Sequence, residues 1–355
     1  MSAVLTNPPL PPAQESPGLW TLAWRRLRQD TVGMVSLVIV SVFLLMMVAS
    51  YTGLIAKDWN KERGVSYANP SFLAGAENLE AKAMAQKEAA KTPPVDLSDI
   101  DPLAPRYKEW EERAAKIAVT EVKRSETLPF GGDKWGRDVL QKAVKGAEVS
   151  IFVGLVAALL ATTIGTILGA IAGYFGRWAN DVLEWVYNIF TSIPYILLIL
   201  SFAAVAAATG KFGKGIVPIV LILSLTGWTG IYRLMRAEYI KHGNREYVKA
   251  AQAIGASNVS RMFHHILPNV SHVALVQLSQ HTVGFIKAEV ILSFLGFGVP
   301  VDMVSWGTML AEAQNELVIG KWWQLVAAGA SMAVLVTAFS LLTDSLRDAL
   351  DPKLK

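Results

Sequence analysis

The chain has 355 residues, of which 52% are hydrophobic and only 17% are charged, with a formal net charge of +4. Soluble domains carry roughly 25% charged residues, so this composition excludes a soluble enzyme and, despite the basic balance, a nucleic-acid-binding module. The chain has no cysteine, which excludes a disulfide framework and thiolate metal sites.

Long runs without charged side chains recur along the chain. Five runs lack Asp, Glu, Lys and Arg, and a sixth contains only two histidines as potential charges. About 20 apolar residues suffice for a helix to cross a bilayer, so each run predicts one span. The predicted spans are residues 31–56, 149–176, 185–210, 215–232, 266–286 and 322–343. We therefore predict an all-α, polytopic membrane protein with six transmembrane helices, the first being an uncleaved span rather than a signal peptide.

A hydrophilic segment separates the first two spans. Residues 57–148 contain 16 basic and 16 acidic residues, so the segment has no net charge to attract nucleic acid. Its composition predicts short solvated helices at residues 77–91 and 106–124. We interpret the segment as a surface insertion.

Basic residues outside the insertion indicate the orientation. With the N-terminus inside, 13 Lys and Arg residues fall on the cytoplasmic side and 4 on the opposite side. Short cytoplasmic loops accumulate such residues, so both termini are predicted inside and the insertion outside. The predicted organisation is a cytoplasmic segment (1–30), the first span (31–56), the external insertion (57–148), a core of five spans (149–346) containing a cytoplasmic loop (237–268), and a cytoplasmic tail (347–355).

Glycines and prolines within the predicted spans indicate where helices pack closely and where they bend. Gly165, Gly169 and Gly173 recur every four residues, and such a face allows another helix backbone to approach closely. Pro194 and Pro218 lie in or at the start of apolar runs, and each predicts a kink.

Catalytic and metal-binding patterns are missing from the sequence. No phosphate-binding loop, H-E-x-x-H or G-x-S-x-G pattern occurs. The neighbouring His264 and His265 point about 100° apart on a helix and cannot chelate one ion well. Near the outer end of the fifth span, Lys287 and Glu289 face different sides of the helix. We therefore predict a protein that is not an enzyme and has no cofactor or metal site.

The cytoplasmic loop at 237–268 is the most informative stretch, with the run REYVKAAQAIGASNVSRMFHHILPN at residues 245–269. Tyr247, Ala251 and Ile254 recur at helical spacing and predict a short amphipathic helix. Ala250 and Ala251 leave a shallow face on that helix. Gly255 is predicted to end it.

The rest of this loop predicts a second short turn. Ser257 is a predicted N-cap, and Pro268 is predicted to begin the next span. The edge of the helix–turn–helix carries Arg245, Lys249 and Arg261. Two interpretations remain open: a surface that docks on a soluble partner, or a loop that lies on lipid headgroups through Tyr247 and Phe263.

This loop resembles the E-A-A-x(3)-G-x(9)-I-x-L-P motif of permease subunits of binding-protein-dependent ABC importers. The matching positions are Ala250, Ala251, Gly255, Leu267 and Pro268. Lys249 replaces the usual Glu, and His265 replaces the usual Ile. In that family the loop contacts the ATPase.

Other stretches resemble the C-type subunit of dipeptide, oligopeptide and nickel importers. They are PFGGDKWGRDVLQKAVKGAEVS (129–150), EVILSFLGFGV (289–299), SWGTML (305–310), DSLRDALDP (344–352) and the Trp/Arg pattern at 24–30. The resemblance leaves out residues 1–18 and about 60–125 of the chain.

The resemblance implies a type I importer subunit in the bacterial inner membrane. It implies as partners a homologous second permease, two ATPase subunits that bind the ATP, an external substrate-binding protein and membrane lipid. The implied ATPase-coupling residues are Arg245, Tyr247, Lys249, Ala250, Ala251, Ile254, Gly255, Leu267 and Pro268. The implied external or gate residues are Gly131, Asp133, Gly136, Arg137, Asp138, Glu289, Gly296 and Trp306.

The implied cargo is a peptide, with nickel, glycosides or another small solute as alternatives. An ion-coupled secondary transporter is a further alternative, although it predicts several acids within the spans and an inverted repeat. The sequence offers one such acid.

Overall fold

The computed structural model describes residues 19–73, 101–116, 124–210, 215–300 and 302–350. These residues are mostly helical. The helices are α1 (Leu19–Gln29), α2 (Thr31–Tyr51), α3 (Tyr107–Lys116), α4 (Val139–Phe175), α5 (Arg177–Thr191), α6 (Tyr195–Thr209), α7 (Val217–Gly227), α8 (Thr229–Gly243), α9 (Glu246–Ala253), α10 (Leu267–Phe294), α11 (Trp306–Val318) and α12 (Trp323–Leu350). Shorter turns are the helical turns Ser71–Leu73, Ala104–Arg106 and Asn258–Ser260 and the π-helical turn Arg261–Ile266.

Long apolar helices confirm a helical, polytopic membrane protein. Helices α2, α4 and α12 are each long and apolar enough to cross a membrane, and the bent pairs α5–α6 and α7–α8 raise the number of candidate spans to five. Helix α10 covers the predicted fifth span in one piece of 28 residues, but it is less apolar and is not among these candidates. The number of six spans stays a prediction.

The two prolines have different effects. Pro194 lies between α5 and α6, whose axes differ by 86°, which confirms the kink predicted at this proline. Pro218 lies in the first turn of α7, where its missing N–H breaks no helical hydrogen bond. The predicted kink at Pro218 is therefore wrong, and the 40° bend of this pair lies at Trp228.

Helix α4 is the centre of the helical packing, in contact with α2, α7, α8, α10 and α12. Its residues Gly165, Gly169 and Gly173 face α8 so closely that a Cβ added at Gly169 would lie 2.6 Å from the carbonyl oxygen of Tyr232. This confirms the prediction of a close backbone approach along the glycine face.

The segment between the first two long helices contains a two-stranded parallel sheet that was not predicted. Strand β1 (Gly64–Pro70) pairs with β2 (Ser125–Leu128), with Gly64 opposite Ser125 and Pro70 opposite Leu128. Between the strands, α3 lies within the helix predicted at 106–124, of which residues 117–123 are outside the described residues. The helix predicted at 77–91 lies outside the described residues.

Candidate functional site

One candidate surface is the 237–268 loop, which contains the end of α8, the whole of α9 and the turns that lead into α10. Val248 and Ala251 of α9 are buried, and Val248 packs in one cluster with Met262 and Ile266. Ile254 is instead 85% exposed. The predicted amphipathic stripe of Tyr247, Ala251 and Ile254 is therefore wrong, because Ala251 is buried whereas Tyr247 and Ile254 are exposed.

Gly255 ends α9 as predicted. Its φ of +86° is in the left-handed region, its N–H donates to the carbonyl of Gln252, and the Ala256 N–H donates to the carbonyl of Ala251, both at 3.0 Å. These two bonds form a Schellman motif. The turn protrudes, since no atom lies within 4 Å of a Cβ added at Gly255.

Two tyrosines hold the loop against the long helices. The Tyr239 hydroxyl of α8 donates to the carbonyl of Met262 at 3.1 Å, and the Tyr174 hydroxyl of α4 donates to the Asn258 side chain at 3.1 Å. The Arg261 guanidinium lies over the Tyr174 ring, 5.6 Å from its centroid. The exposed turn is thus fixed to α4 and α8 rather than suspended from flexible chain.

The predicted caps on the far side of the turn are also present. Ser257 accepts a hydrogen bond from the Ser260 N–H at 3.2 Å, and Leu267–Pro268 begins α10. Pro268 has no N–H to donate to the carbonyls of the π-helical turn that precedes it. The Asn269 side chain instead donates to one of these carbonyls, that of His265, at 2.7 Å.

The remaining predicted residues of this loop lie at its surface. Arg245 and Ala250 are exposed. Lys249 pairs with Glu246 at 3.3 Å with both side chains largely in solvent, which stabilises the loop little. The Tyr247 hydroxyl contacts His242 Nδ1 at 2.8 Å.

A second candidate site surrounds Lys142, which is 1% exposed near the start of α4. Its ammonium donates to Asp133 Oδ2 at 2.9 Å, to Gln324 Oε1 at 3.3 Å and to Glu312. We call these four residues the Lys142 cluster. It joins the segment before α4 to α11 and α12, and a buried ammonium requires such partners.

The segment 131–138 is shaped around Asp133. Asp133 Oδ1 accepts from the N–H groups of Trp135 and Arg137 at 2.9 and 3.0 Å, and the Arg137 guanidinium lies 3.3 Å from Oδ2. Gly131 and Gly136 have φ of +87° and +75°. The two glycines therefore allow the tight turns that surround the carboxylate.

Asp138 caps α4 rather than lining an opening. Its carboxylate accepts from the Leu140 N–H at 2.9 Å. Helix α4 consequently begins at Val139, ahead of the charge-free run that starts at Val149.

Glu289 and Trp306 are internal. Glu289 has no exposed surface and accepts hydrogen bonds from Ser150 and Ser293, both at 2.6 Å. The Trp306 indole donates to the carbonyl of Ala143 at 3.1 Å, and its backbone N–H donates to Ser150 Oγ at 3.2 Å. These groups bind α10 and α11 to α4.

A cleft of about 350 Å³ brings some predicted external residues together. Its lining includes Arg137 and Gly296, with Trp59, Trp135 and Thr308. Gly296, with φ of +82°, is exposed in the loop after α10. The structure therefore places Arg137 and Gly296 at an accessible surface and Asp133, Glu289 and Trp306 inside the protein.

Sequence reasoning missed the Lys142 cluster and Glu316. The charge balance of residues 57–148 predicts a solvated Lys142. However, Lys142 shares helical spacing with Val139 and Gly146, which are both buried, and that spacing is the signal that could have identified it. Glu316 of α11 is only 2% exposed, and burial raises its pKa to about 7.

Comparisons with known proteins fit this architecture. Residues 165–355 match the family described as the binding-protein-dependent transport system inner membrane component, and residues 18–63 match the N-terminal TM domain of oligopeptide transport permease C. The Bacillus subtilis dipeptide transport system permease protein DppC is 34% identical over 64% of this chain and 69% of its own length. The B. subtilis oligopeptide transport system permease protein OppC is 32% identical over 71% and 80%.

Among solved structures, inward-facing MetNI methionine ABC transporter has a TM-score of 0.47 and 15% identity, over 59% of this chain and 96% of that chain. The match over residues 165–355 covers more than half of the chain, and the permease relatives extend it toward the N-terminus. The chain therefore belongs to the family of binding-protein-dependent transport system inner membrane components.

Proposed function

We propose that this chain is one permease subunit of an ATP-driven peptide importer in the bacterial inner membrane. The importer contains a homologous second permease, two ATPase subunits that bind and hydrolyse ATP, and an external substrate-binding protein. The names of the dipeptide and oligopeptide permease relatives support the peptide cargo. The chain itself supplies half of the translocation path and no catalytic group.

The observation that carries this proposal is the exposed turn at Gly255. Ile254 and Val259 present apolar surface there, as expected of a surface that docks into a groove on a soluble partner. Hydrogen bonds from Tyr174 and Tyr239 fix the turn to α4 and α8. When the ATPase subunits close, the turn moves with them as a rigid body and tilts α8 and α10.

The external side receives the cargo. The segments at 131–138 and 296–307 contact the binding protein or close the outer gate. This assignment requires residues 57–148 to lie outside and residues 1–30, 237–268 and 347–355 to lie in the cytoplasm, in keeping with the distribution of basic residues.

Cysteine labelling tests the orientation, since the chain has no cysteine of its own. Trp110→Cys and Ile254→Cys replace two exposed side chains on opposite sides of the proposed membrane. In intact cells, a membrane-impermeant maleimide should label the first variant and not the second, and lysis should expose the second. The reverse pattern would overturn the orientation and the ATPase-docking role of the loop.

Uptake by the assembled transporter tests the cargo. Proteoliposomes containing both permeases and both ATPases, supplied with the binding protein and internal ATP, should accumulate radiolabelled dialanine and stop when vanadate inhibits the ATPases. Uptake that a protonophore abolishes and vanadate spares would indicate an ion-coupled transporter. Uptake of Ni²⁺ or a glycoside in place of the dipeptide would retain the importer class and change its cargo.

A further inference from the structure

Helix α10 has an exposed face that is polar near its middle. Gln280, Gly284 and Lys287 are exposed, and their spacing of four and three residues places them on one side of the helix. We call these three residues the polar stripe. Glu289 is fully buried on the opposite side. Within the described part of the chain, Lys287 forms no ion pair.

The cytoplasmic half of this face is the floor of a groove between α8 and α12. A cavity of about 510 Å³ has Glu238 of α8 on one wall and Arg347 of α12 on the other. Its floor contains His272, Gln277 and Gln280 of α10. A smaller cavity of about 170 Å³ extends the groove from Gln280 along α12. Polar side chains thus come from three helices.

An exposed polar face on a membrane helix requires a polar neighbour. Hydrocarbon offers no hydrogen-bond partner, so ionisable side chains within spans face a water-filled cavity or the protein interior. Helix α2 shows the contrasting case, because its exposed residues Val35, Val38 and Val42 are apolar, as lipid contact requires. The difference in polarity distinguishes a face toward water from a face toward lipid.

We propose that the polar stripe of α10, with the groove between α8 and α12, is the wall that this subunit contributes to a water-filled translocation path. We further assign to the Lys287 ammonium, toward the external end of α10, the binding of a carboxylate on the cargo. The glutamine amides of the floor donate and accept hydrogen bonds and therefore match the amide groups of a peptide. This inference rests on the proposed importer function and identifies the surface along which the cargo moves.

Three single-cysteine variants test the water-filled wall. Gly284→Cys introduces a side chain into open space, as no atom lies within 4 Å of the added Cβ. Val38→Cys is the matched control for lipid exposure, since Val38 is 58% exposed near the middle of α2. Ala288→Cys is the control for burial, because Ala288 is 4% exposed next to the stripe.

Each variant is assembled in the complete transporter in proteoliposomes and treated with the cationic reagent 2-(trimethylammonium)ethyl methanethiosulfonate. We expect modification of Gly284→Cys, with loss of dialanine uptake, and no modification of the two controls. If only membrane-permeant N-ethylmaleimide modifies Gly284→Cys, the face borders lipid or the second permease and the inference is overturned. The labelling result does not depend on dialanine being the cargo. A Gly284→Cys transporter that takes up no dipeptide before treatment but is still labelled therefore contradicts the peptide assignment alone.

Two substitutions test the carboxylate-binding role. In Lys287→Gln the KM for dialanine uptake should rise by about tenfold or more, the effect of losing one charge-assisted hydrogen bond. Lys287→Arg retains the charge and should keep the KM close to that of the unmodified chain. The affinity of the isolated binding protein for dialanine should not change. An unchanged KM in Lys287→Gln, or an equal rise in both variants, would remove this role from Lys287.

Discussion

The Tyr239 hydroxyl on α8 donates a hydrogen bond to the carbonyl oxygen of Met262, 3.1 Å away, and the tyrosine has no exposed surface. This bond joins a long helix directly to the turn that follows α9. It is therefore a mechanical link between the proposed ATPase-docking surface and the helices that we propose to line the path.

Replacing Tyr239 with Phe should weaken this link. The buried Met262 carbonyl would lose its partner at a cost of about 1–3 kcal/mol, so the turn should move partly independently of α8. We expect ATPase subunits to co-purify with the Tyr239→Phe variant while uptake per ATP hydrolysed falls. Tyr187→Phe is the matched control, because Tyr187 accepts an exposed hydrogen bond from Arg233 on another part of α8. Equal coupling ratios in the two variants would show that the Tyr239 bond transmits no motion.

Gly255→Val should disrupt the turn itself. At φ of +86° a β-branched residue costs about 1–2 kcal/mol in backbone strain, while the open surroundings add no steric clash. We expect normal membrane insertion, reduced ATPase co-purification and reduced uptake. Gly255→Asn is the control, since asparagine tolerates the left-handed region and should retain most activity. Full uptake in the valine variant would favour a loop that lies on lipid headgroups.

Lys142→Met should destabilise the side of the protein that we propose to be external. It leaves Asp133 and Glu312 without their shared ammonium, and removing one partner of a buried ion pair costs about 3–5 kcal/mol. We expect a clearly lower Tm of the detergent-purified protein. Lys145→Met should have a much smaller effect, because Lys145 pairs with Glu148 in a partly exposed position. If Lys142→Met fails to accumulate, Lys142→Met combined with Asp133→Asn and Glu312→Gln should restore part of the yield, and a yield unchanged by these additions would contradict the charge argument.

Glu316 should make stability depend on pH. Burial raises the pKa of its carboxyl from 4.5 to about 7, so between these values the folded protein holds a proton that the unfolded chain releases. The free energy of unfolding therefore falls as pH rises through this window, by up to about 3 kcal/mol. Glu316→Gln should raise Tm at pH 8 and leave it nearly unchanged at pH 5. Thermal unfolding at both pH values checks this, and equal gains at both would assign the effect to packing.

The segment between β1 and β2 should be replaceable. The strands and the Arg124–Glu62 ion pair lie outside residues 75–122, so removing those residues keeps the sheet. Parallel strands need a crossover of about a dozen residues, so a 12-residue Gly/Ser linker should restore membrane accumulation and the Tm. A direct fusion would leave six residues between β1 and β2, fewer than a parallel crossover needs, so it should lower the Tm. Loss of accumulation with the linker present would show that the removed segment supports the fold.

Local sequence signals determined several features of this protein. The apolar runs predicted long helices, Gly255 predicted the end of a helix, and the glycines from Gly165 to Gly173 predicted a close helix contact. Each of these features depends on one residue type or on spacing within one helix. Physical chemistry at short range therefore suffices to derive them.

Only the tertiary structure decided which charges are buried and which polar faces stay exposed. Lys142 donates a hydrogen bond to Gln324, which is 182 positions away in the sequence. Strand β1 likewise pairs with β2, although the inserted segment separates them in the chain. The same holds for α10, whose Glu289 and Lys287 have opposite surroundings because α4 covers only one side. Burial and pairing of this kind depend on helices that are remote in the chain, and no local pattern encodes where those helices lie.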